Sequence, residues 1–441
     1  MRTTHGEVLT LGQLDEAAAA VENINNKLNL PFAFAVVQEK TPFGYLFPEL
    51  QDPDSLLPES TKTRDALINL GITMSESNDN PSLASATPAA YTYFGQFVDH
   101  DITMEAASND ITRLNDPNLK PLSPEIIQDR IKNTRSPTLD LDSVYSQDAP
   151  RDGARLVLGK VSPFQDRPPG KDDFNDLPRK PRSVDPRIDR EALIGDGRND
   201  ENLIIAQLHV AFLRAHNAIV DQGKTFDEAR KLLRQHYQWI VIHDLLKRIA
   251  DPQIVNKALT GGAGAWHFEP PADALFMPFE FSVAGYRFGH SMIRNRYDFN
   301  LNFSKENGAT LGQLFTFTAF SGQLADFDTL PENWIIEWKN FLDEGRNQAR
   351  RVDTRLVEPL FALQSIGKPM PDEARLAVRN LLRGYMLRIP TGQTVADALG
   401  LRAMTAAEIE EVAESVSPEQ LAAVHESGFS ERTPLWYYIL A

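Results

Sequence analysis

Nine histidines and no cysteine define the chemistry open to this chain. Without thiols there is no disulfide, thiolate zinc site, iron–sulfur cluster or cysteine nucleophile. Imidazole, carboxylate and guanidinium groups must do the work, and three neighbourhoods concentrate them. In Gln96-Phe97-Val98-Asp99-His100-Asp101 a histidine lies between two carboxylates, behind Tyr91, Phe94 and Val98 at helical spacing. Burying so many polar groups costs several kcal/mol unless they pair or bind something. In Ile194-Gly195-Asp196-Gly197-Arg198-Asn199-Asp200-Glu201, two glycines make a tight turn that presents Arg198 at the entrance of a helix. In FEFSVAGYRFGHSMIR, residues 279–294, Val283, Tyr286, Arg287 and His290 share one helical face. Gly285 and Gly289 there let a flat partner approach the backbone.

A fourth segment is rich in oxygen. Ser136, Thr138, Asp140 and Asp142 alternate with Pro137, Leu139 and Leu141. In an extended chain, alternation turns all four oxygens to one side and the leucines to the other. Hard oxygen ligands suit Ca²⁺, which takes about 6 to 8 of them. The glycine turn and terminal glutamate of an EF-hand are absent. Taken singly, each segment also has an ordinary reading: a solvated helix end, a surface turn, a core histidine and a leucine-anchored strand.

The elements that must position these groups are mostly helical. LIIAQLHVAFLRAHNAIV buries Leu203, Ile204, Leu208, Ala211, Phe212, Ala215 and Ile219 on one face. EARKLLRQHYQWIVIHDLLKRIADP continues the pattern and ends before Pro252. Thr405 with Glu408, and Ser417 with Pro418 and Gln420, read as two capping boxes. LDEAAAAVENINNKL, residues 14–28, reads as one short N-terminal helix. Residues 105–190 lack helical periodicity and are dense in proline, as befits a long stretch that wraps a site. The expected fold is mainly α: a single large helical domain with long irregular loops and little β, residues 1–60 forming an arm packed on a catalytic domain of 61–441.

The chain has 441 residues, 42% hydrophobic and 24% charged, an ordinary globular composition that rules out wholesale disorder. Its formal charge of −16 argues against nucleic acid or an anionic membrane as the main partner. No N-terminal leader pattern is visible, and no apolar run reaches the ~20 residues of a membrane span. Localisation and oligomeric state are not legible.

In order along the chain, GQFVDHD, LDLDSVY, IGDGR with Glu201, EFSVAGYRFGHSMIR and NLLRGYMLRIPTGQ resemble the animal-type haem peroxidases of the peroxidase–cyclooxygenase superfamily, in their bacterial form. The resemblance implies haem b and Ca²⁺ as cofactors. It implies hydrogen peroxide and small donors (halide, thiocyanate or phenol) as reactants, turned over through a ferryl intermediate. It makes His290 the proximal iron ligand, Asn380 the acceptor of its other N–H, and Arg287 a further residue of the haem pocket. His100 resembles the distal base, Gln96 its neighbour, and Arg198 the distal arginine. Asp99 and Glu201 resemble carboxylates that esterify the haem. Asn202 stands where some mammalian members have a methionine bonded to a haem vinyl, and it cannot make that bond. Asp101, Ser136, Thr138, Asp140 and Asp142 resemble the calcium site. Related chains usually carry a further helix beyond a segment like TPLWYYILA, so either this chain is a trimmed version or that element is missing, at a cost in stability.

Three other readings are distinguishable. A fatty-acid dioxygenase of the same fold needs a tyrosine three residues before the proximal histidine, where this chain has Arg287. An HD-type phosphohydrolase would join His100-Asp101 to His243-Asp244 in a two-metal site. A non-enzymatic haem carrier would need His290 but not Gln96, His100 and Arg198 together. His209 and His216 lie on one helix seven residues apart and His216 reads as structural, while His236 and His267 read as surface or core.

Overall fold

The structure is a computed structural model that describes residues 9–10, 41–77, 80–107, 114–136, 138–146, 149–164, 173–185, 188–261, 275–316, 318, 327–343, 345–363 and 375–441. The helix expected over 14–28, most of the N-terminal arm, Pro137 and His267 lie outside them. The helices that carry the core and the site are, in chain order, α1 (Thr61–Thr73), α2 (Ala90–Ile102), α3 (Leu203–Val220), α4 (Phe226–Ile240), α5 (Pro252–Gly261), α6 (Leu376–Met386), α7 (Ala406–Val416), α8 (Pro418–Ser427) and α9 (Leu435–Leu440).

Side-chain oxygens start many of these helices by accepting otherwise orphaned N–H groups. Ser60 caps α1 through Thr63 N at 3.0 Å, and Asn202 caps α3 through Ile205 N at 3.0 Å. The Thr405–Glu408 box forms in both directions. The Ser417 box forms only by half: Ser417 accepts from Gln420 N at 3.1 Å, but the Gln420 carbonyl is taken by Thr354 and Tyr437. Tertiary partners outcompete the local return bond.

The expected continuous helix after 226 is also interrupted. α4 ends at Ile240, and one π-helical turn, Val241–Leu245, follows before the helix resumes over Leu246–Ile249. The inserted residue rotates the apolar face that follows, but only Leu246–Ile249 remain, too few for the periodicity to show it.

One large core joins Leu67 of α1, Phe97 of α2, Val210 of α3, Tyr237 of α4, Leu381 of α6 and Trp436 of α9. A smaller one surrounds Tyr93, Tyr297, Phe299, Trp334 and Phe341. Phe97 stacks on Phe212 at 4.6 Å and 4° and meets Tyr237 edge-on, which fixes the rotation of α2 against α3 and α4. α1 crosses α6 so closely that a Cβ on Gly71 would lie 2.7 Å from Val378 Cγ2 and 2.8 Å from its backbone. β structure is confined to short pieces. The largest sheet runs Leu9–Thr10, Glu105–Ala107, Lys132–Asn133, Thr41–Gly44, Met277–Pro278. It pairs Thr41 with Asn133 antiparallel and Phe43 with Met277 parallel, tying the end of α2 to the segment before His290. Contrary to the run-length expectation, α3 is long and apolar enough to cross a membrane, but 61% of it is buried inside the protein, as in a core helix.

Candidate functional site

Gln96 and Asp99 are one turn apart on α2 and face the same cavity. Across from α2, the 3₁₀ turn Gly197–Asp200 and the cap Asn202 deliver Glu201 to that cavity. Gln96 Nε2 donates to Glu201 Oε1, and Asn202 Nδ2 donates to Gln96 Oε1 at 3.3 Å. Asp99 accepts from Thr103 Oγ1 at 2.9 Å; burial raises its pKa, with Arg198 and Arg287 opposing.

His100 is fully buried and lies just behind this wall, its Nε2 3.7 Å from Glu201 Oε1. Its Nδ1 meets Asn199 Oδ1 at 2.8 Å, and Asn199 Nδ2 in turn meets His209 Nδ1 at 3.0 Å. Burial, then the nearby Arg198, lowers the His100 pKa to about 3, so the imidazole is neutral at ordinary pH.

Arg198 does not line the cavity. Nη2 donates to the carbonyls of His100 (3.0 Å) and Thr103 (2.7 Å) and to Asp196 Oδ2 (2.7 Å). Asp196 also takes Arg135 Nη2 at 2.6 Å, and Arg135 Nη1 reaches Asp142 at 3.2 Å. The expected surface turn is thus a buried one. Gly195 lets it form, since a Cβ there would stand 2.6 Å from Ser143 O.

That contact brings in the oxygen-rich segment, which is not the extended strand expected. Asp140 N donates to Thr138 O at 3.0 Å, and Leu141 is left-handed at φ 59°, so the chain curls. The curl brings carboxylate oxygens of Asp101, Asp140 and Asp142 within 4.8 Å of one another. Leu141 N donates to Asp101 Oδ2 at 3.1 Å, while buried Asp101 Oδ1 has no hydrogen-bond partner. Burial, then repulsion from Asp142 and Asp140, pushes the Asp101 pKa up to about 8. Ser136 Oγ and Thr138 Oγ1 are 2.6 Å apart.

On the opposite wall, the expected α-helical face is a π turn, Glu280–Ala284, followed by a 3₁₀ helix, Gly285–Met292. Three residues per turn stack Arg287 directly over His290. Both line the cavity, as do Tyr286 and Gly289, whereas Val283 is buried in the core. A Cβ on Gly289 would meet nothing within 4 Å, but one on Gly285 would meet Glu280 O at 3.4 Å. Only Gly289 therefore opens the wall. Asn380 of α6 sits between the two side chains: Oδ1 accepts from Arg287 Nη1 at 2.8 Å, and Nδ2 lies 2.9 Å from His290 Nδ1. The amide thus presents nitrogen to His290, the reverse of the expected acceptor, because Arg287 claims its oxygen. Burial, then Arg287 and Arg379, holds the His290 pKa well below the usual value. Trp436 of α9 braces this wall, donating to Arg287 O at 3.1 Å.

The cavity has a volume of about 420 Å³, and Leu245, Ile249, Leu311, Phe315, Leu360 and Leu363 make its remaining side apolar. Of the residues singled out from sequence, Gln96, Asp99, Glu201, Arg287 and His290 meet on it, while His100, Arg198 and Asn380 stand behind it. Asn199, Asp196 and His209 were missed as parts of the site. A run of five polar residues, Arg198 to Asn202, leading into a strongly apolar helix was the signal available, and it pointed to burial only with the helix's docking known.

The HD-type assembly does not form. Asp244 accepts from Tyr91, nine residues from His100 on α2, about 13 Å along the axis. His243 stacks on Trp239 with centroids 5.0 Å apart. Among the described residues, Asp101, Asp140 and Asp142 form the one acidic or imidazole group close enough to share an ion. His216 is structural, as expected, held by Tyr145 and Ala154 O, each at 2.9 Å.

The family model described as animal haem peroxidase matches residues 112–330. A peroxidase-like protein of Margaritifera margaritifera is 32% identical over 116 residues, 24% of this chain and 14% of that protein. Thyroid peroxidase of Mus musculus is 26% identical over 253 residues, 52% of this chain and 26% of that protein. The chain thus spans about a quarter or less of these relatives' lengths. Peroxidase A of Dictyostelium discoideum superposes with a TM-score of 0.56 at 15% identity, covering 90% of this chain and 81% of that one. The fatty acid alpha-dioxygenase of Oryza sativa gives 0.55 at 13%, covering 91% and 69%. At these identities the likeness is one of fold.

Proposed function

We propose that this chain, which matches the animal haem peroxidase family model over residues 112–330, is a haem-dependent peroxidase, reducing hydrogen peroxide and oxidising small donors such as halides, thiocyanate or phenols. The observation that carries the reading is His290. It is a neutral imidazole on the wall of an apolar cavity, with Arg287 beside it and two carboxylates opposite. The open wall at Gly289 and this donor set fit a haem. When bound, haem supplies the iron that takes up peroxide and stores its oxidising equivalents.

The chain's own residues then divide the work. His290 binds through Nε2. That would require its proton on Nδ1 and the Asn380 amide turned to offer its oxygen, with Arg287 giving up its bond to that oxygen. His100 is neutral and stands behind Glu201, its Nε2 3.7 Å from Oε1, so Glu201 and Gln96 would have to turn aside before that nitrogen could take a proton from peroxide and return it to the departing water. Gln96 hydrogen-bonds the reacting oxygens. Arg198 stabilises developing charge through the positive field it sets up behind His100. Asp99 and Glu201 stand on the cavity wall where ester links to haem could form. Asp101, Asp140 and Asp142, with Ser136 and Thr138, would hold Ca²⁺, tying α2 to the loop. Two measurements test the assignment. His290→Ala loses stoichiometric haem uptake, while His100→Leu keeps uptake and slows the reaction with peroxide by about a hundredfold or more. Peptides around Asp99 and Glu201 carry haem mass if the esters form; release of free haem alone removes that part.

One observation favours a second reading, fatty-acid dioxygenase: the apolar side of the cavity together with the fold shared with the Oryza sativa protein. The residue chemistry weighs against it. Arg287 occupies the radical tyrosine's place, and the Tyr286 hydroxyl donates to Gly95 O at 3.2 Å. Oxygen uptake on adding a long-chain fatty acid separates the two.

A further inference from the structure

Tyr91, in the first turn of α2, stands between the cavity and solvent. It lines the cavity, and its hydroxyl donates to Asp244 Oδ2 at 2.5 Å. Arg248 completes the group: Nε donates to Asp244 Oδ1 at 2.9 Å, and the guanidinium lies 4.4 Å from the centre of the Tyr91 ring. The Asp244 and Arg248 side chains are 37% and 36% exposed. Asp244 belongs to the π turn that interrupts the helix after Ile240, and the extra residue of that turn changes the direction in which the carboxylate points.

We propose that Tyr91 is a one-electron relay: it gives an electron to a peroxide-oxidised haem in the cavity while its hydroxyl proton passes to Asp244, and the half-buried phenoxyl radical then oxidises phenolic donors too bulky to enter. The inference rests on the peroxidase reading above. The step balances. The Tyr91 O–H bond breaks, an O–H bond forms on Asp244 Oδ2, and one electron goes to the oxidised haem. The outside phenol returns one electron to Tyr91 and loses its own proton to solvent, and Asp244 hands the first proton back.

The surroundings suit the role. Loss of an electron from a phenol is strongly uphill unless the proton leaves with it, and a carboxylate in hydrogen-bond contact accepts that proton. Burial pulls the Asp244 pKa up, but the Tyr91 and Arg248 hydrogen bonds outweigh it and keep the carboxylate ionised. Burial and the Asp244 bond push the Tyr91 pKa up to about 12, so it starts as the phenol. The cation over the ring opposes electron loss and makes the radical a stronger oxidant. The neighbouring cavity tyrosine supplies the contrast. Tyr286 donates to a backbone carbonyl, Gly95 O, which cannot take a proton, so it stays reduced.

The test maps radicals by mass. Haem-reconstituted protein receives one equivalent of hydrogen peroxide with a nitroso spin trap, and adducts are located by peptide mass spectrometry. In parallel, haem-free protein is oxidised by photogenerated ruthenium(III) tris-bipyridine under the same trap. The proposal expects the adduct on Tyr91 in both arms. Asp244→Asn should lower its yield about tenfold or more, since the amide still accepts the hydrogen bond but not the proton. Arg248→Gln should raise the yield in the haem-free arm. Adducts on Tyr286 with Tyr91 clean, or an undiminished yield in Asp244→Asn, overturn it. Failure to bind haem, or a haem unresponsive to peroxide, overturns this inference together with the peroxidase reading. A responsive haem with unlabelled Tyr91 overturns this inference alone.

Discussion

At the scale of single residues, the site is built from groups whose partners lie one layer back. Asp196 is the clearest case. It receives two guanidinium groups, and burial, which alone would raise its pKa, is outweighed by Arg198 and Arg135, so its carboxyl stays far below the usual range. Arg198→Leu leaves it half-compensated in the interior. The expected cost is about 3 kcal/mol, at the lower end for a broken buried pair because Arg135 remains, read as a fall in the urea midpoint. An unchanged midpoint would mean the network carries no stability. The residues to which we assign the reaction were legible in the sequence because their types are scarce and chemically specific: one histidine between carboxylates, one after GYRFG. Their supports were not. Asn199 and Asp196 sit in a glycine-rich stretch whose composition describes an exposed turn equally well, and only docking of α3 against α2 decides that it is buried.

Helices and loops set how accurately those residues meet. α6 carries Asn380, and its distance from α1 depends on the missing side chain at Gly71. Gly71→Ala places a methyl against the Val378 backbone, which cannot yield as a side chain would. It should destabilise by about 1–3 kcal/mol. It should also weaken haem binding by displacing Asn380, measurable by haem titration against apomyoglobin; equal affinity would uncouple the helix crossing from the site. The loop bearing Asp140 and Asp142 makes a separate prediction. Calcium at a hundred times its Kd should add about 2.7 kcal/mol of stability, seen as a higher Tm that Asp140→Asn abolishes. No rise in the wild type removes the calcium assignment. Helical periodicity located α2 and α3 well, because their buried faces repeat over several turns. It missed the π turns at Val241 and Glu280, which alter the register by a single residue. It also misread 136–142, where one left-handed Leu141 turns an apparent strand into a curl.

Over the whole molecule, the site lies where distant parts of the chain converge: α2, the 3₁₀ turn before α3, the segment at His290 braced by α9, and α6. The mainly helical fold and the identity of these segments followed from sequence; their convergence on one cavity did not, since periodicity carries no information on long-range docking. Enclosing neutral imidazoles has a cost in acid. Burial lowers the His209 pKa to about 3, whereas the unfolded chain protonates it near 6.5. Between those values the unfolded state holds the extra proton, so stability falls as pH drops, by up to about 1.4 kcal/mol per pH unit from this group. Urea midpoints at pH 7 and pH 5 measure this, and His209→Gln should flatten the difference. The central claim, that this cavity holds a peroxide-reactive haem on His290, is tested most directly by absorption spectra of the haem-titrated protein before and after one equivalent of hydrogen peroxide. The account predicts a Soret band that saturates at one haem per chain, shifts on peroxide addition, and is lost in His290→Ala. A band that never saturates, ignores peroxide or survives that substitution would contradict it.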